Sequence, residues 1–557
     1  MTQSVDHRLL LQQFHARVRQ HPNRVYLTQP IGGGQVKDYT WADVSKEART
    51  MAAHLQSLGY PPGSCIAMIT KNCAHFIIAE LAIWMAGYTS VALFPTFNAE
   101  NIKYILAHSE AKLIFIGKLD SMADVDAGTP SDLPRIVFPL APKSPGESWD
   151  AIIGRTAPLE GEPVRGADEL SIIIYTSGST GQPKGVMHSF RTIALGAETF
   201  VEVIKLGSDE RILSYLPLAH AFERAVVEAT SFISGFHIYF AESLETFISD
   251  IKRARPTVFI SVPRLWLKFQ LGVFAKQPQK KLDFLLKLPI LGKIVSKKVL
   301  TGLGLEHVRI AASGSAPIPP GLINWYRSLG LELLEGYGMS ENFCASHISV
   351  PGKTRVGYVG NASPGVRCRI SPEGEILVHS PGSMLGYYKE PEMSAESFTE
   401  DGFLKTGDRG ELDDQGRLKI TGRVKELFKT SKGKYVAPAP IENLINADNS
   451  IELSCVAGSG YSDAHALIQV AESLVDKLKT AEGRAEYEPH FAALLKQVNS
   501  QLEDWEQLGF VAIVSERWLV ENGFLTPTMK IKRSTIEAHY KPQLDAWYAS
   551  KKKVIWG

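Results

Sequence analysis

The sequence predicts an α/β protein with a large N-terminal domain of layered α/β subdomains, a small β-barrel-like subdomain and a small α+β C-terminal domain. Three observations predict it. Between Cys65 and Gly117, short apolar runs alternate with longer patterned segments. From about residue 355 the texture changes to short apolar runs punctuated by Gly, Pro and Asp/Asn turns. After Arg423 it changes again, to a mixed α+β pattern.

The apolar runs at 65–69, 90–94 and 112–116 read as buried strands, and the segments at about 74–86 and 99–108 as helices. This β-α-β-α-β order calls for a parallel sheet covered by helices. Phe76 to Phe94 is long enough to span a bilayer. Glu80 lies inside it, however, and Gly87 divides a helical part from a strand-like part. A buried helix followed by a buried strand is expected instead. The Pro/Gly/Asp/Ser-rich stretch from about 120 to 168 reads as a surface excursion.

A strand at 170–175 then leads into the loop "YTSGSTGQPKG" and a second short apolar run. The α/β pattern resumes at "VFISVPRLWLKF" and "HVRIAASGSAP". The Gly/Pro-punctuated region predicts a small antiparallel sheet or barrel, with a hairpin turn at Asp413 to Gly416. A charged helix-like stretch covers 473–505. The expected domains are 1–424 and 425–557.

Composition bounds the function. The chain has 557 residues, roughly three to four domains' worth. Apolar residues at 44% and charged ones at 21% describe an ordinary soluble globular protein. A formal net charge of +1 provides no global field for nucleic acid. Cys65, Cys73, Cys344, Cys368 and Cys455 show no zinc or disulfide spacing, which points to a reducing compartment. The N-terminus lacks the apolar run of a signal peptide. A cytoplasmic protein is expected.

The loop from Tyr175 to Gly185 places three glycines and several hydroxyls beside one cation, Lys184. Glycines tolerate the dihedrals that turn several N–H groups inward, making a nest for an anion. Lys184 adds a point charge suited to phosphate. No Walker A spacing is present. A plain surface turn is the alternative on composition alone.

The ordered string resembles the phosphate loop of the acyl-adenylate-forming enzymes, the superfamily that includes acyl-CoA synthetases. Further segments match in family order. "SYLPLAHAFER" (214–224) and "LTPTMKIKR" (525–533) resemble fatty acyl-CoA synthetases. "ASGSAP" (312–317) resembles the adenine-pocket strand end, and "EGYGMSE" (335–341) the Tyr-Gly-x-Thr-Glu motif, with Ser340 in place of Thr. "KTGDRGEL" carries Thr-Gly-Asp at 406–408, and "GRVKELFKTSKGKY" resembles the hinge and the loop beyond it. The resemblance covers nearly the whole chain.

It implies an ATP- and Mg²⁺-dependent acid–thiol ligase for a medium- or long-chain fatty acid, working through acyl-AMP and then coenzyme A. Thr176, Ser177, Gly178, Ser179, Thr180 and Lys184 would hold phosphates. Thr176 and Glu341 would help bind Mg²⁺, a hard cation that prefers oxygen ligands. Gly314, Ser315 and Glu335 would line the adenine edge, Tyr337 would stack on the adenine, and Ser340 would belong to the nucleotide-binding set; Ala221, Phe222 and Gly336 would shape the acyl tunnel. Asp408 would accept the ribose hydroxyls, and Arg423 would bind ribose and phosphate.

His220 would sit near the reacting carboxylate, and Lys530 would pair with the charge that builds during adenylation; Lys532 is the alternative lysine. The C-terminal domain would be mobile, turning near Lys425 to present Lys530 or the Gly433 loop. The alternatives are a ligase for another carboxylic acid or a carrier-protein acceptor, and a non-catalytic nucleotide-binding protein. A homodimer is compatible with these motifs.

"KQPQKKLDFLLKLPILGKIVSKK" (276–298) has seven lysines, one acid and interleaved Leu, Ile and Phe. Two readings stand: a solvated helix pair broken at Pro289, or a peripheral face touching anionic lipid.

Overall fold

The computed structural model describes residues 8–177, 182–526 and 529–557. Its largest sheet has eight strands in the order Gly386–Tyr387, Pro183–Ser189, Leu170–Ser177, Thr89–Leu93, Cys65–Ile69, Leu113–Ile116, Arg135–Val137 and Glu147–Ser148. The strands from Leu170–Ser177 to Glu147–Ser148 pair in parallel. The other two join antiparallel.

Helix Ala74–Met85 is buried along its entire length. Its sequence is apolar all round, as a helix covered on every side must be. The acid within it, Glu80, is buried and ion-paired with Arg224. Burying either charge alone would be costly, so the pair explains how Glu80 sits in an apolar run.

The 120–168 stretch is more than a surface excursion. Its two short strands lengthen the main sheet, and helix Trp149–Arg155 starts at a Ser148 cap that accepts from the Ala151 N–H. Trp149 is buried, edge-on against His75 and Phe138. Turn residues dominate the composition there, yet Ile136, Phe138, Trp149 and Ile152 suffice to seal the edge.

A second sheet runs Arg211–Ser214, His237–Phe240, Val25–Gly32, Gln35–Thr40. A third runs Val258–Ser261, Ile310–Ser313, Leu333–Tyr337, His347–Ile348, Asn361–Ala362. Its first three strands are parallel and in register, Ser261 beside Ser313 and Ser313 beside Glu335. Their carboxyl ends therefore open on one side, where ligands bind in open α/β sheets.

The region from 367 to 423 forms an antiparallel sheet, Arg367–Ile370, Glu375–His379, Leu404–Leu412, Leu418–Arg423. The turn expected at Asp413 is present. The Gly416 N–H donates to the Asp413 carbonyl, and Gly416 takes a φ of 72°.

Beyond residue 424 the chain builds its own sheet, Ile451–Ala457, Ala464–Val470, Leu508–Ile513, Val554–Trp556, with helices Pro438–Ile445, Ala481–Asn499 and Arg533–Ser550. Apolar cores lie on its two faces, around Phe491 and around Trp518. Arg533 ties the last helix to Glu442 at 2.6 Å. Among the described residues no helix is long and apolar enough to cross a membrane.

Candidate active site

The loop that drew attention in the sequence is the tip of an antiparallel hairpin, Leu170–Ser177 with Pro183–Ser189. Gly178, Ser179 and Thr180 lie outside the described residues. The register sets Thr176 opposite Lys184 and Ser177 opposite Pro183. The strand Gly386–Tyr387 pairs with the outer side of this hairpin, opposite Met187 and Val186. This places the Lys184 ammonium 5.7 Å from the centre of the Tyr387 ring. The Tyr387 hydroxyl in turn donates to Glu341 Oε1 at 2.9 Å.

Glu341 sits on a short turn, Ser340–Asn342, packed on the same hairpin. His188 fixes the turn by donating from Nε2 to the Ser340 carbonyl at 2.7 Å. Burial pushes the His188 pKa down to about 4, so the imidazole is neutral and its tautomer is set by that carbonyl. Cation, tyrosine and carboxylate thus line one wall. A cation that bridges phosphates needs only one or two protein oxygens. The Glu341 carboxylate and Thr176 hydroxyl are oxygen donors of that kind, and no His/Cys/Asp/Glu cage occurs among the described residues.

The open end of the third sheet forms the second wall. Gly314 and Ser315 follow strand Ile310–Ser313, and Ser315 adopts a φ of 69°. A side chain at Gly314 would press within 3.2 Å of the Phe222 ring. Glu335, Gly336 and Tyr337 end the neighbouring strand. Glu335 is buried and accepts the Gly357 N–H at 3.2 Å, and desolvation raises its pKa to about 7.

The Tyr337 hydroxyl donates to Asp408 Oδ2 at 2.7 Å, and Arg423 Nε donates to Oδ1 at 2.7 Å. Asp408 and Arg423 are direct cross-strand partners. Each carboxylate oxygen offers two acceptor sites, so Asp408 can still receive hydroxyl donors while held at both ends. Thr406 fixes the approach, its hydroxyl accepting the Asp408 N–H and donating to the Ile376 carbonyl.

The segment 214–224 is cinched by Glu223, whose Oε1 accepts from the Ser214 hydroxyl and the Tyr215 N–H. Burial raises the Glu223 pKa to about 8. The closed loop presents His220 at the start of a short turn, with Nδ1 accepting the Phe222 N–H at 3.1 Å. Nε2 therefore carries the proton of the neutral ring. Desolvation, and then the Lys530 cation, push the His220 pKa down to about 3.

Lys530 arrives from the C-terminal part on a tight turn in which Met529 takes a φ of 64°. Its charge interacts with Arg423, Asp408, Cys344 and Glu341. Desolvation comes first and Arg423 second in lowering its pKa, although the residue keeps an open path to water. Lys532 donates its N–H to the Phe524 carbonyl at the start of the last helix. Burial raises the Cys344 thiol to about 12, which suits a packed residue rather than a nucleophile.

The contacts thus link Lys184 to Glu341 through Tyr387, and Asp408 to Tyr337 and Arg423, with the Lys530 charge felt at Glu341, Asp408, Arg423 and His220. Lys425 sits in the exposed turn Val424–Glu426, one residue beyond Val424 from Arg423. Gly433, at a φ of 78°, tips the hairpin Phe428–Lys429 with Tyr435–Val436, and its N–H closes back on the Thr430 carbonyl. Tyr387 and His188 were missed in the sequence. Their roles depend on a strand pairing and a carbonyl contact that leave no local motif.

The AMP-binding enzyme family model matches residues 14–388, and that for the AMP-binding enzyme C-terminal domain matches residues 426–552. The long-chain-fatty-acid–CoA ligase FadD15 of Mycobacterium bovis is 30% identical over 587 residues, covering 95% of this chain and 95% of its own. Long-chain-fatty-acid–CoA ligase 1 of Homo sapiens is 28% identical over 557 residues, covering 88% of this chain and 79% of its own. Among solved structures, the adenylation domain of a carboxylate reductase from Mycobacterium chelonae superposes with a TM-score of 0.82 at 23% identity, over 97% of this chain and 91% of that one. That likeness concerns the fold.

Proposed function

The chain belongs to the AMP-binding enzyme family, and from that premise we propose that it is an ATP-dependent fatty acyl-CoA synthetase acting on long-chain acids. The carboxylate of the fatty acid attacks the α-phosphate of ATP and expels pyrophosphate. The thiol of coenzyme A then attacks the acyl-AMP carbonyl and expels AMP. The observation that carries this reading is the Asp408 carboxylate held at both oxygens, by the Tyr337 hydroxyl and by Arg423 Nε, each at 2.7 Å, with oxygen lone pairs left for hydroxyl donors.

In the first half-reaction an anion approaches an anion. The site must supply cations and donors where charge builds. Lys184 and the hairpin hold the β- and γ-phosphates. Thr176 and Glu341 would hold Mg²⁺, which when bound would offset phosphate charge. Tyr337, Gly314, Ser315 and Glu335 frame the adenine, Gly336 shapes the acyl tunnel with Ala221 and Phe222, and Asp408 receives the ribose hydroxyls. Lys530 pairs with the carboxylate and α-phosphate oxygens. His220, neutral and protonated on Nε2, donates toward the acyl carboxylate.

The second half-reaction needs a different face. Residues 425–557 act as a mobile domain that turns about Lys425, withdraws Lys530 and brings the Gly433 hairpin to the cleft. Peripheral contact with an anionic membrane surface belongs to the same reading, because long-chain acids partition there. A screen of straight-chain, branched and aromatic acids by pyrophosphate release, with and without free CoA, tests it. Turnover of long straight-chain acids with CoA is expected. A requirement for a carrier protein would favour a different acceptor.

A further inference from the structure

Helices Gln279–Leu286 and Pro289–Leu303 form a hairpin that turns apolar side chains to water. Phe284 is 64% exposed, Ile290 77%, Leu291 49% and Ile294 59%. No other window of this length among the described residues exposes more than two large apolar side chains so fully. Ile290, Leu291 and Ile294 share one helical face by their spacing. Scattered exposed apolar residues need no explanation, but a contiguous group marks a contact surface.

The surface is built rather than loose. Leu282 is buried, and Leu286, Val295, Val299 and Leu300 pack on the core below. The two helices close tightly at Gly292, where an added Cβ would lie 2.5 Å from the Leu286 carbonyl oxygen. The hairpin therefore holds its exposed face in a fixed orientation.

The rim is strongly one-signed. Lys276, Lys280, Lys281, Lys287, Lys293, Lys297 and Lys298 are all exposed. Among the described residues none of them forms an ion pair, and Asp283 is the lone acid within 276–298. A groove of about 470 Å³ runs beside the face. It is lined by Leu288, Leu300 and Leu329 together with Lys293, Lys297 and Arg327, with Glu306 the single acid.

We propose that this hairpin is a docking face for an anionic membrane, with Phe284, Ile290, Leu291 and Ile294 entering the headgroup boundary and the lysines facing lipid phosphates and carboxylates. Charge complementarity selects this occupant. Juxtaposed lysines would oppose an isologous contact with a second copy of the chain. Apolar side chains flanked by lysine are what an interfacial helix needs. The proposal rests on the synthetase reading only for its purpose, the capture of substrate from the bilayer.

The test is co-sedimentation of the full chain with vesicles containing phosphatidylserine, against vesicles of phosphatidylcholine alone. Substrate, ATP and CoA are omitted, so a failed synthetase reading leaves the result intact. Binding to the anionic vesicles is expected, weakening steeply with salt as surface charge is screened. Lys280→Glu/Lys281→Glu/Lys287→Glu and, separately, Phe284→Ser/Ile290→Ser/Ile294→Ser should each weaken it by about tenfold or more, since each juxtamembrane lysine contributes roughly fivefold.

Both variants should keep wild-type circular dichroism and wild-type activity toward a soluble acid. No anionic preference, or binding unchanged in both folded variants, would overturn the proposal. Self-association of the wild type that both variants abolish would assign the face to a second copy instead.

Discussion

Tyr337 and Arg423 grip the two oxygens of Asp408 from opposite sides, each at 2.7 Å. A carboxylate fixed this way presents its remaining lone pairs in set directions, which is what a ribose diol needs. Asp408→Ala removes the charge-assisted acceptor and strands two donors. A loss of roughly 2–3 kcal/mol in ATP affinity is expected. Tyr337→Phe should cost about 1 kcal/mol. Titration calorimetry on the folded variants measures both, and unchanged affinity in Asp408→Ala would remove the ribose assignment.

Lys425, in the turn Val424–Glu426, and Lys530 should separate by half-reaction. Lys530→Ala should cripple pyrophosphate exchange by about a hundredfold or more, as loss of a transition-state charge partner does. It should still convert supplied acyl-AMP and CoA to thioester. Lys425→Pro fixes φ at the proposed pivot and removes an N–H. It should leave adenylation near wild type and slow thioester formation. Lys532→Ala should affect pyrophosphate exchange much less than Lys530→Ala. Equal loss of both half-reactions in Lys530→Ala and Lys425→Pro would refute the turning-domain mechanism.

Arg264, on helix Pro263–Lys276, forms an ion pair with Glu452 on strand Ile451–Ala457, and Arg517 holds the other oxygen of Glu452 at 2.8 Å. The pair joins the parts of the chain that the proposed mechanism would move against each other. Partly exposed pairs contribute up to about 1 kcal/mol. Arg264→Ala should therefore lower adenylation a few-fold, by loosening the arrangement that presents Lys530, and leave the thioester step unchanged or faster. Separate assays of the two half-reactions read this out.

Acid should unfold the protein partly through His188. Its pKa is lowered from 6.5 to about 4 by burial. Between those values the unfolded chain binds more protons than the folded one, so this contribution to stability falls as pH drops from 6.5 toward 4. Glu335 and Glu223 work in the opposite sense. Their raised pKa values stabilise the fold at low pH, and that contribution is lost as pH rises through about 7 and about 8. Replacing His188 with Gln keeps a donor for the Ser340 carbonyl. The urea midpoint of His188→Gln should vary less between pH 6.5 and 4 than that of the wild type.

Much of this site was legible because its residues lie in short ordered strings. Tyr337, Glu341, Asp408, Arg423 and Lys530 each sit in a short motif-bearing segment, and Tyr337 and Arg423 meet at Asp408. What was not legible depends on distant pairing. The partner of Glu80 lies 144 residues away in Arg224. Tyr387 reaches Glu341 because a two-residue strand adds to the hairpin of Leu170–Ser177 and Pro183–Ser189 far upstream. The edge strands around Ile136 and Ser148 were hidden among turn residues, since a strand of two or three residues has no period to detect. The exposed lysine-rich hairpin was visible as a pattern, while the outward turn of Phe284 and Ile290 depends on which helix faces pack on the core.

The central claim is that one cleft makes acyl-AMP from a long-chain acid and hands it to coenzyme A. The most direct measurement mixes enzyme with ATP, Mg²⁺ and a long-chain acid in the absence of CoA, and then adds free CoA. A burst of pyrophosphate stoichiometric with enzyme-bound acyl-AMP is expected, chased on CoA addition into acyl-CoA and AMP. Pyrophosphate release that yields no thioester with free CoA, or no pyrophosphate from any fatty acid, would contradict it.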